Sequence, residues 1–257
     1  MYKNIFDSHS HYDAEAFNED RGELISSMEE KGVCGIIHAS TDIISAKKGI
    51  EYAGSFKNFY TSVGIHPECV EGLSENYIAE LEMLAKHDKV VAIGEIGLDY
   101  YWTKETKAAQ LEVFENQLKL AQKLELPVII HCREATEDCM RLLKKYKPRG
   151  VVHCFSGSAE TAREVMRLGM YISFTGVITF PKSIKAQEAL LAVDDDKLLL
   201  ETDCPYMAPV PNRGKRCDSS MIAFMAERVA ELKKMSAQEV LDLTCENAKR
   251  LFGVKIV

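Results

Sequence analysis

Val90-Val91-Ala92-Ile93-Gly94-Glu95, then the segment from Lys104 to Leu124, then Pro127-Val128-Ile129-Ile130-His131: this stretch decides the fold. The two outer runs are short, nearly continuous in apolar residues and bounded by Gly or Pro, as strands covered on both faces are. The segment between them repeats its apolar residues at helical spacing. Strand, crossover helix, strand is the unit that builds parallel sheets. Each of the two strands also ends in a side chain able to bind metal or carry a proton, Glu95 and His131.

Outward from this unit, the same alternation repeats along the chain. Strands are expected at 5–7, 33–38, 60–65, 90–95, 128–131, 151–153, 170–174 and 198–201. Helical patterns fall between them at 20–31, 43–55, 74–86, 104–124, 135–147, 159–168 and 185–192, with two more at 219–233 and 236–251. Ser236 and Glu239 make a capping box for the last helix. Gly32, Gly150 and Gly169 stand where helices hand over to strands. Eight β–α units without a linker predict a single (β/α)8 TIM barrel domain over 1–257, with extra C-terminal helices. A doubly wound open sheet is the structural rival, but no Gly-x-Gly-x-x-Gly follows the first strand.

Composition narrows the function. The chain is 46% hydrophobic and 28% charged, enough for a full core. No run of about 18 apolar residues is present, and Met1-Tyr2-Lys3-Asn4 does not begin a signal peptide. Eight cysteines are dispersed singly with no Cys-x-x-Cys, which fits reduced thiols and a cytoplasmic protein better than disulfides or a thiolate zinc site. The net charge of −7 argues against a broad electrostatic grip on nucleic acid. It leaves room for a phosphate substrate, because bound cations can supply positive charge locally.

The metal-capable side chains gather at one end of the expected scaffold. His9 and His11 end strand one, Glu95 strand four, His131 strand five, His153 strand six and Asp203 strand eight. All lie at the carboxyl ends of their strands, where barrel enzymes build their sites. A lone His-x-His is more often a hydrogen-bonded surface pair. Four of the chain's seven histidines converging with two carboxylates is different, because burying such groups together without a cation is costly. The set exceeds what one tetrahedral ion needs, and Glu95 could bridge a pair of ions about 3.5–4 Å apart. Cys132 and Cys154 fall out of phase with the neighbouring ligands and should face the helices. His38 and His87 belong to no convergent set and are expected to be structural and surface residues respectively.

These residues lie in Phe6-Asp7-Ser8-His9-Ser10-His11, Gly64-Ile65-His66-Pro67, Gly94-Glu95-Ile96-Gly97-Leu98-Asp99-Tyr100, Pro127-Val128-Ile129-Ile130-His131-Cys132-Arg133, His153-Cys154-Phe155-Ser156-Gly157 and Leu200-Glu201-Thr202-Asp203-Cys204-Pro205-Tyr206. In this order they resemble the TatD family of metal-dependent deoxyribonucleases, within the amidohydrolase superfamily. The resemblance runs from strand one to strand eight. It implies hydrolysis of DNA phosphodiesters with two divalent ions, Mg²⁺ or Mn²⁺ with Zn²⁺ as an alternative, trimming single-stranded 3′ ends as an exonuclease. It implies His9, His11, Glu95, His131, His153 and Asp203 as metal ligands. One departure is visible: after Arg213-Gly214-Lys215-Arg216 many members continue Asn-Glu-Pro, whereas this chain has Cys217-Asp218-Ser219.

On this reading Asp203 orients the attacking water and takes its proton, and Glu95 serves as a built-in bridging carboxylate. Glu201, two residues deeper on the same face as Asp203, either supports the ligands from behind or bonds a neighbouring strand. His66, Arg133, Arg213, Lys215, Arg216 and Tyr100 are candidates for contact with DNA; Tyr100, Tyr101 and Trp102 at the same mouth either stack unpaired bases, the reading the resemblance favours, or pack the base of a loop, the reading the residues alone favour. The alternatives are a lactonase, amidase or phosphotriesterase on the same metal barrel, and a non-catalytic metal-binding protein.

Overall fold

A computed structural model describes residues 1–256. Among them, eight strands form one parallel sheet in sequence order: β1 Ile5–Ser10, β2 Val33–His38, β3 Phe59–Val63, β4 Val90–Asp99, β5 Val128–Arg133, β6 Gly150–Val152, β7 Tyr171–Phe174 and β8 Leu198–Leu200. The helices that return the chain between strands are α1 Arg21–Ser26, α2 Ile43–Ser55, α3 Tyr77–Leu84, α4 Lys107–Leu124, α5 Thr136–Tyr146, α6 Ala159–Arg167 and α7 Ile184–Ala192. After β8 come α8 Ile222–Lys233 and α9 Ala237–Phe252. This is the TIM barrel the alternation predicts, with the extra helices at its end. No helix among the described residues is long and apolar enough to cross a membrane.

The sheet closes on itself where β8 meets β1. Asp203 N–H donates to His9 O at 3.0 Å, His11 N–H to Cys204 O at 2.8 Å, and Ser8 Oγ to Leu200 O at 3.1 Å. Beneath them the buried carboxylate of Asp7 fastens the seam. It accepts from Thr202 N and Oγ1 at 2.9 and 2.6 Å, and from Ser219 Oγ at 2.6 Å. Burial pushes the Asp7 carboxyl up to about 7 despite these hydrogen bonds.

Inside the barrel, every strand contributes to a common apolar cluster: Phe6, Ile37, Tyr60, Val91 with Ala92, Ile129, Val151, Tyr171 and Leu199. Cys245, Ala248, Leu251 and Phe252 of α9 join the same cluster and plug that end. The plug works because α9 has a continuous buried stripe, and its start is fixed by the Ser236–Glu239 capping box, both halves of which form. The second and larger core lies between the helices and the outer faces of the strands.

Three strands run longer than the sequence suggests. β1 continues to Ser10, and β4 and β5 extend together to Asp99 and Arg133, staying in register from Ile96↔Ile130 through Asp99↔Arg133. The 20–31 helix is shorter: α1 stops at Ser26, and a separate 3-10 turn, Glu29–Lys31, leads into Gly32. Gly32 has φ +86°, and a Cβ there would lie 2.1 Å from Tyr2 O, so this hand-over requires glycine. Gly150 plays another part: Lys147 takes the left-handed position ending α5, and Gly150 opens β6 pressed against Val128.

Candidate metal centre

Simple alternation carries the polar side chains up from the apolar ring in most strands. Two residues beyond Ile129 stands His131, two beyond Val151 stands His153, and two and four beyond Leu199 stand Glu201 and Asp203. β4 departs from this alternation: Val91 and Ala92 both enter the apolar cluster, Ile93 packs in the outer core, and the register with β5 shifts between Ile93 and Ile96, where Glu95 stands. β1 breaks step: His9 comes three residues after Phe6, and the β1–β2 register shifts between Asp7 and Ser10. That irregularity brings His9 and His11 to the cluster, with their Nε2 atoms 3.0 Å apart.

Glu95 lies at the centre, and its two oxygens face different partners. Oε2 is 3.3 Å from His9 Nε2 and 3.6 Å from His11 Nε2. Oε1 is 2.6 Å from His153 Nε2, 2.8 Å from His131 Nδ1 and 3.5 Å from His66 Nε2. Asp203 Oδ1 completes the first side, 3.2 Å from His11 Nε2 and 3.6 Å from His9 Nε2. Burial raises the Glu95 carboxyl, but the surrounding imidazoles outweigh it and hold it well below the usual range. Asp203 is likewise opposed by burial and lowered by its bond to His11. Its side chain keeps 15% of its surface open, against 3% for Glu95, so Asp203 is the carboxylate nearer water. Asp203 holds a left-handed backbone, φ 58°, at a cost of about 1–2 kcal/mol. The seam bond to His9 O and the turn from Tyr206 N to Asp203 O keep it there.

Hydrogen bonds on the far sides of the rings sort the histidines by role. His11 Nδ1 faces Ala39 O at 2.9 Å; a carbonyl only accepts, so Nδ1 carries the proton and Nε2 presents its lone pair inward. His131 Nε2 is 3.0 Å from Asp99 Oδ2, which leaves Nδ1 of the neutral ring facing Glu95 and His153. His66 is the reverse. Its Nδ1 accepts the Glu68 N–H at 3.2 Å, so the neutral ring carries its proton on Nε2 and donates toward the cluster. Within the cluster burial opposes charge on His11 and His131, but their carboxylate partners prevail and move each up to about 9. Burial carries His9 and His66 downward.

Three sets of potential ligand atoms each gather within 4.8 Å: His9, Glu95 and His153; His9, His11 and Asp203; His66, Glu95 and His131. The cluster sets two ionised carboxylates among buried imidazoles, and positive charge balances them there, either as protons on His11 and His131 or as a bound cation that takes the place of those protons and meets the inward nitrogens as lone pairs. The chemistry of this donor set therefore suits divalent metal. His66 differs from the others in the third set, since its inward nitrogen bears hydrogen.

Several neighbours hold the cluster in place. Glu201 does both things open to it: Oε1 accepts from Cys154 N and Oε2 from Ser173 Oγ, each at 2.6 Å, while Oε1 lies 3.4 Å from His153 Nδ1. Asp99, a residue to which the motif alone assigns no role, orients His131. It shares a strand face with Glu95, and that was the available signal. Two buried glutamines of α4, seven residues apart and so on one helix face, brace the loops. Gln117 brackets Ile65 through both its amide groups, next to His66, and Gln110 brackets Asp99 in the same way.

The remaining candidates divide. Arg133, Arg213 and Lys215 are exposed; Arg133 lies 4.2 Å over the Tyr101 ring and Arg213 4.4 Å over Phe180. Arg216 is tied down by a two-pronged pair with Asp20, at 2.7 and 2.6 Å, and by Ala16 O. The Tyr100 hydroxyl donates to Asp138 Oδ2 at 3.0 Å, turned toward α5. In the unusual Cys217-Asp218-Ser219 segment, Asp218 caps the following turn through Ser220 N, and Ser219 joins the Asp7 fastening. Cys132 faces α5 beside Cys139, as its phase implies. Cys154 does not face a helix: left-handed backbone, φ 43°, sets its Sγ 3.7 Å from Thr175 Oγ1. His38 is buried outside the cluster, 3.4 Å from Ser45 Oγ, and His87 is at the surface.

Known proteins share this architecture. The sequence matches the family described as TatD related DNase over residues 6–253. It is 42% identical over 253 residues to YabD of Bacillus subtilis (strain 168), named an uncharacterized metal-dependent hydrolase, covering 97% of this chain and 99% of that one. It is 32% identical to the 3′-5′ ssDNA/RNA exonuclease TatD of Cronobacter sakazakii, covering 96% and 97%. The crystal structure of YjjV, a TatD homologue from Escherichia coli K12, superposes with a TM-score of 0.93 at 30% identity, covering 99% of this chain and 100% of that one.

Proposed function

The chain belongs to the TatD related DNase family of metal-dependent hydrolases, and we propose that it hydrolyses phosphodiester bonds of DNA, removing nucleotides from single-stranded 3′ ends. The observation that carries this reading is the division of Glu95. One oxygen serves the His9, His11 and Asp203 side and the other the His131 and His153 side, as a bridge between two cations would require. When bound, two divalent ions, Mg²⁺ or Mn²⁺, supply a water of lowered pKa and neutralise charge on the phosphate.

The protein's own groups do the rest. Asp203, the more open carboxylate, takes the proton of the attacking water. His66 Nε2–H donates to a phosphate oxygen, its tautomer set by Glu68 N–H. Asp99 and Glu201 hold His131 and His153 in orientation. Arg133, Arg213 and Lys215 line an exposed rim suited to a polyanion, whereas a small ester would favour a closed apolar pocket.

The test is digestion of 3′-labelled single-stranded DNA with Mg²⁺ or Mn²⁺, with and without chelator, beside the Asp203→Asn variant. Metal-dependent release of label that the variant largely loses is expected. Turnover of a small ester or amide, with intact DNA under both metals, would move the assignment to the lactonase and amidase class.

A further inference from the structure

Where the chain leaves β4, two large aromatic side chains stand in water. Trp102 is 60% exposed and Tyr101 50%, their rings edge to face with centroids 4.6 Å apart. The guanidinium of Arg133, two residues beyond His131 on β5, lies 4.2 Å from the Tyr101 centroid and 5.3 Å from that of Trp102. Apart from Met1 ahead of β1, the other large exposed apolar side chains on loops among the described residues, Tyr206, Met207 and Val210, follow β8 at the same end of the barrel. Exposed aromatics grouped beside a site mark an interaction surface more often than a packing defect.

The loop that carries them is firmly held. Asp99 Oδ1 accepts the N–H groups of both Tyr101 and Trp102 at 2.9 Å, and Thr103 Oγ1 donates to Asp99 O at 3.2 Å. Gln110 then ties Thr103 to α4 through Thr103 O at 2.7 Å. The other oxygen of Asp99 holds His131. One carboxylate thus fixes the aromatic pair in a set relation to the metal cluster.

We infer that Tyr101, Trp102 and Arg133 form a nucleobase subsite, in which an unpaired base stacks on the aromatic pair while Arg133 engages the adjoining phosphate. This rests on the proposed nucleic-acid reading and deepens it. Stacking suits any base, since each has a π-face, but only where that face is free, so the subsite takes single strands and not the interior of a duplex. Arg133 adds the charge complementarity that an apolar partner would not need. Because the aromatic pair and His131 share Asp99, a base seated there sets which phosphate reaches the cluster.

Trp102 is the chain's single tryptophan, so its emission reports on this subsite directly. The metal-loaded protein is titrated with a short phosphorothioate-linked oligothymidylate, and with an abasic oligomer of the same length and backbone. Emission should be quenched by the first and not by the second. Tyr101→Ala and Trp102→Ala should each weaken binding of the labelled oligothymidylate by about tenfold. Equal quenching by the abasic oligomer, or unchanged affinity in both variants, overturns the subsite. Base-dependent quenching with no cleavage of unmodified DNA leaves the subsite standing and removes the hydrolytic reading instead. Cleavage without quenching does the opposite.

Discussion

The two ends of the barrel are made by the same eight strands and obey opposite rules. At the amino-terminal end, buried apolar residues from all eight strands share one cluster with the apolar stripe of α9. At the carboxyl end, histidines and carboxylates crowd around Glu95 with their inward atoms 2.6–3.6 Å apart. The first end is stable by itself, since burial of apolar surface needs no partner. The second is complete only with a cation, and its groups are held in position by contacts made elsewhere, by Asp99, Glu201, Gln110 and Gln117. Stability has been placed at one end and chemistry at the other.

Four experiments would break or sharpen this division. The largest effect is expected from Glu95→Gln, which removes the charge that both imidazole groups face. Turnover should fall by about a thousandfold or more, about 4 kcal/mol, with metal content per chain falling alongside. Retention of full metal content would contradict the bridging role. Phe252→Ala opens the plug and should cost about 3 kcal/mol of unfolding free energy in denaturant titration. Activity per folded molecule should stay unchanged, and a parallel loss of activity would show that the ends are coupled. Adding Mn²⁺ at about a hundred times its dissociation constant should stabilise the chain by about 2.7 kcal/mol, seen as a rise in Tm that chelator reverses. Asp99→Asn should reduce metal affinity or turnover by about ten- to a hundredfold, because the amide can present its N–H to His131 and so disturb the tautomer. Little change there would reduce Asp99 to a loop anchor.

The barrel was legible because its signal is repeated: eight apolar runs alternate with helical patterns, and local propensity and global topology agree. The candidate residues were legible for a related reason, since strand ends on one face of a barrel must meet. Other features depended on contacts the sequence does not display. Alternation from Phe6 would put His9 on the wrong face, and only the register shift in β1 corrects it. Asp99 was hidden because β4 was expected to end at Glu95, and its extension comes from pairing with β5. Arg216 reads like any rim arginine until Asp20, 196 residues away in sequence, is found against it. The inward proton of His66 is decided by a backbone N–H two residues on, a matter of turn geometry and not of residue type. Cys154 departs from strand phase because β6 has ended and the chain has turned.

The seam between β8 and β1 has a consequence for the order of synthesis. His9 and His11 are made well before their partners: Asp203, the Thr202 groups that hold Asp7 and the β8 edge that fixes β1 come about 195 residues later. A nascent or truncated chain lacking β8 has neither a closed barrel nor a complete ligand set. The site is therefore assembled only once β8 and the turn after it have been made, and a fragment ending before β8 lacks Asp203.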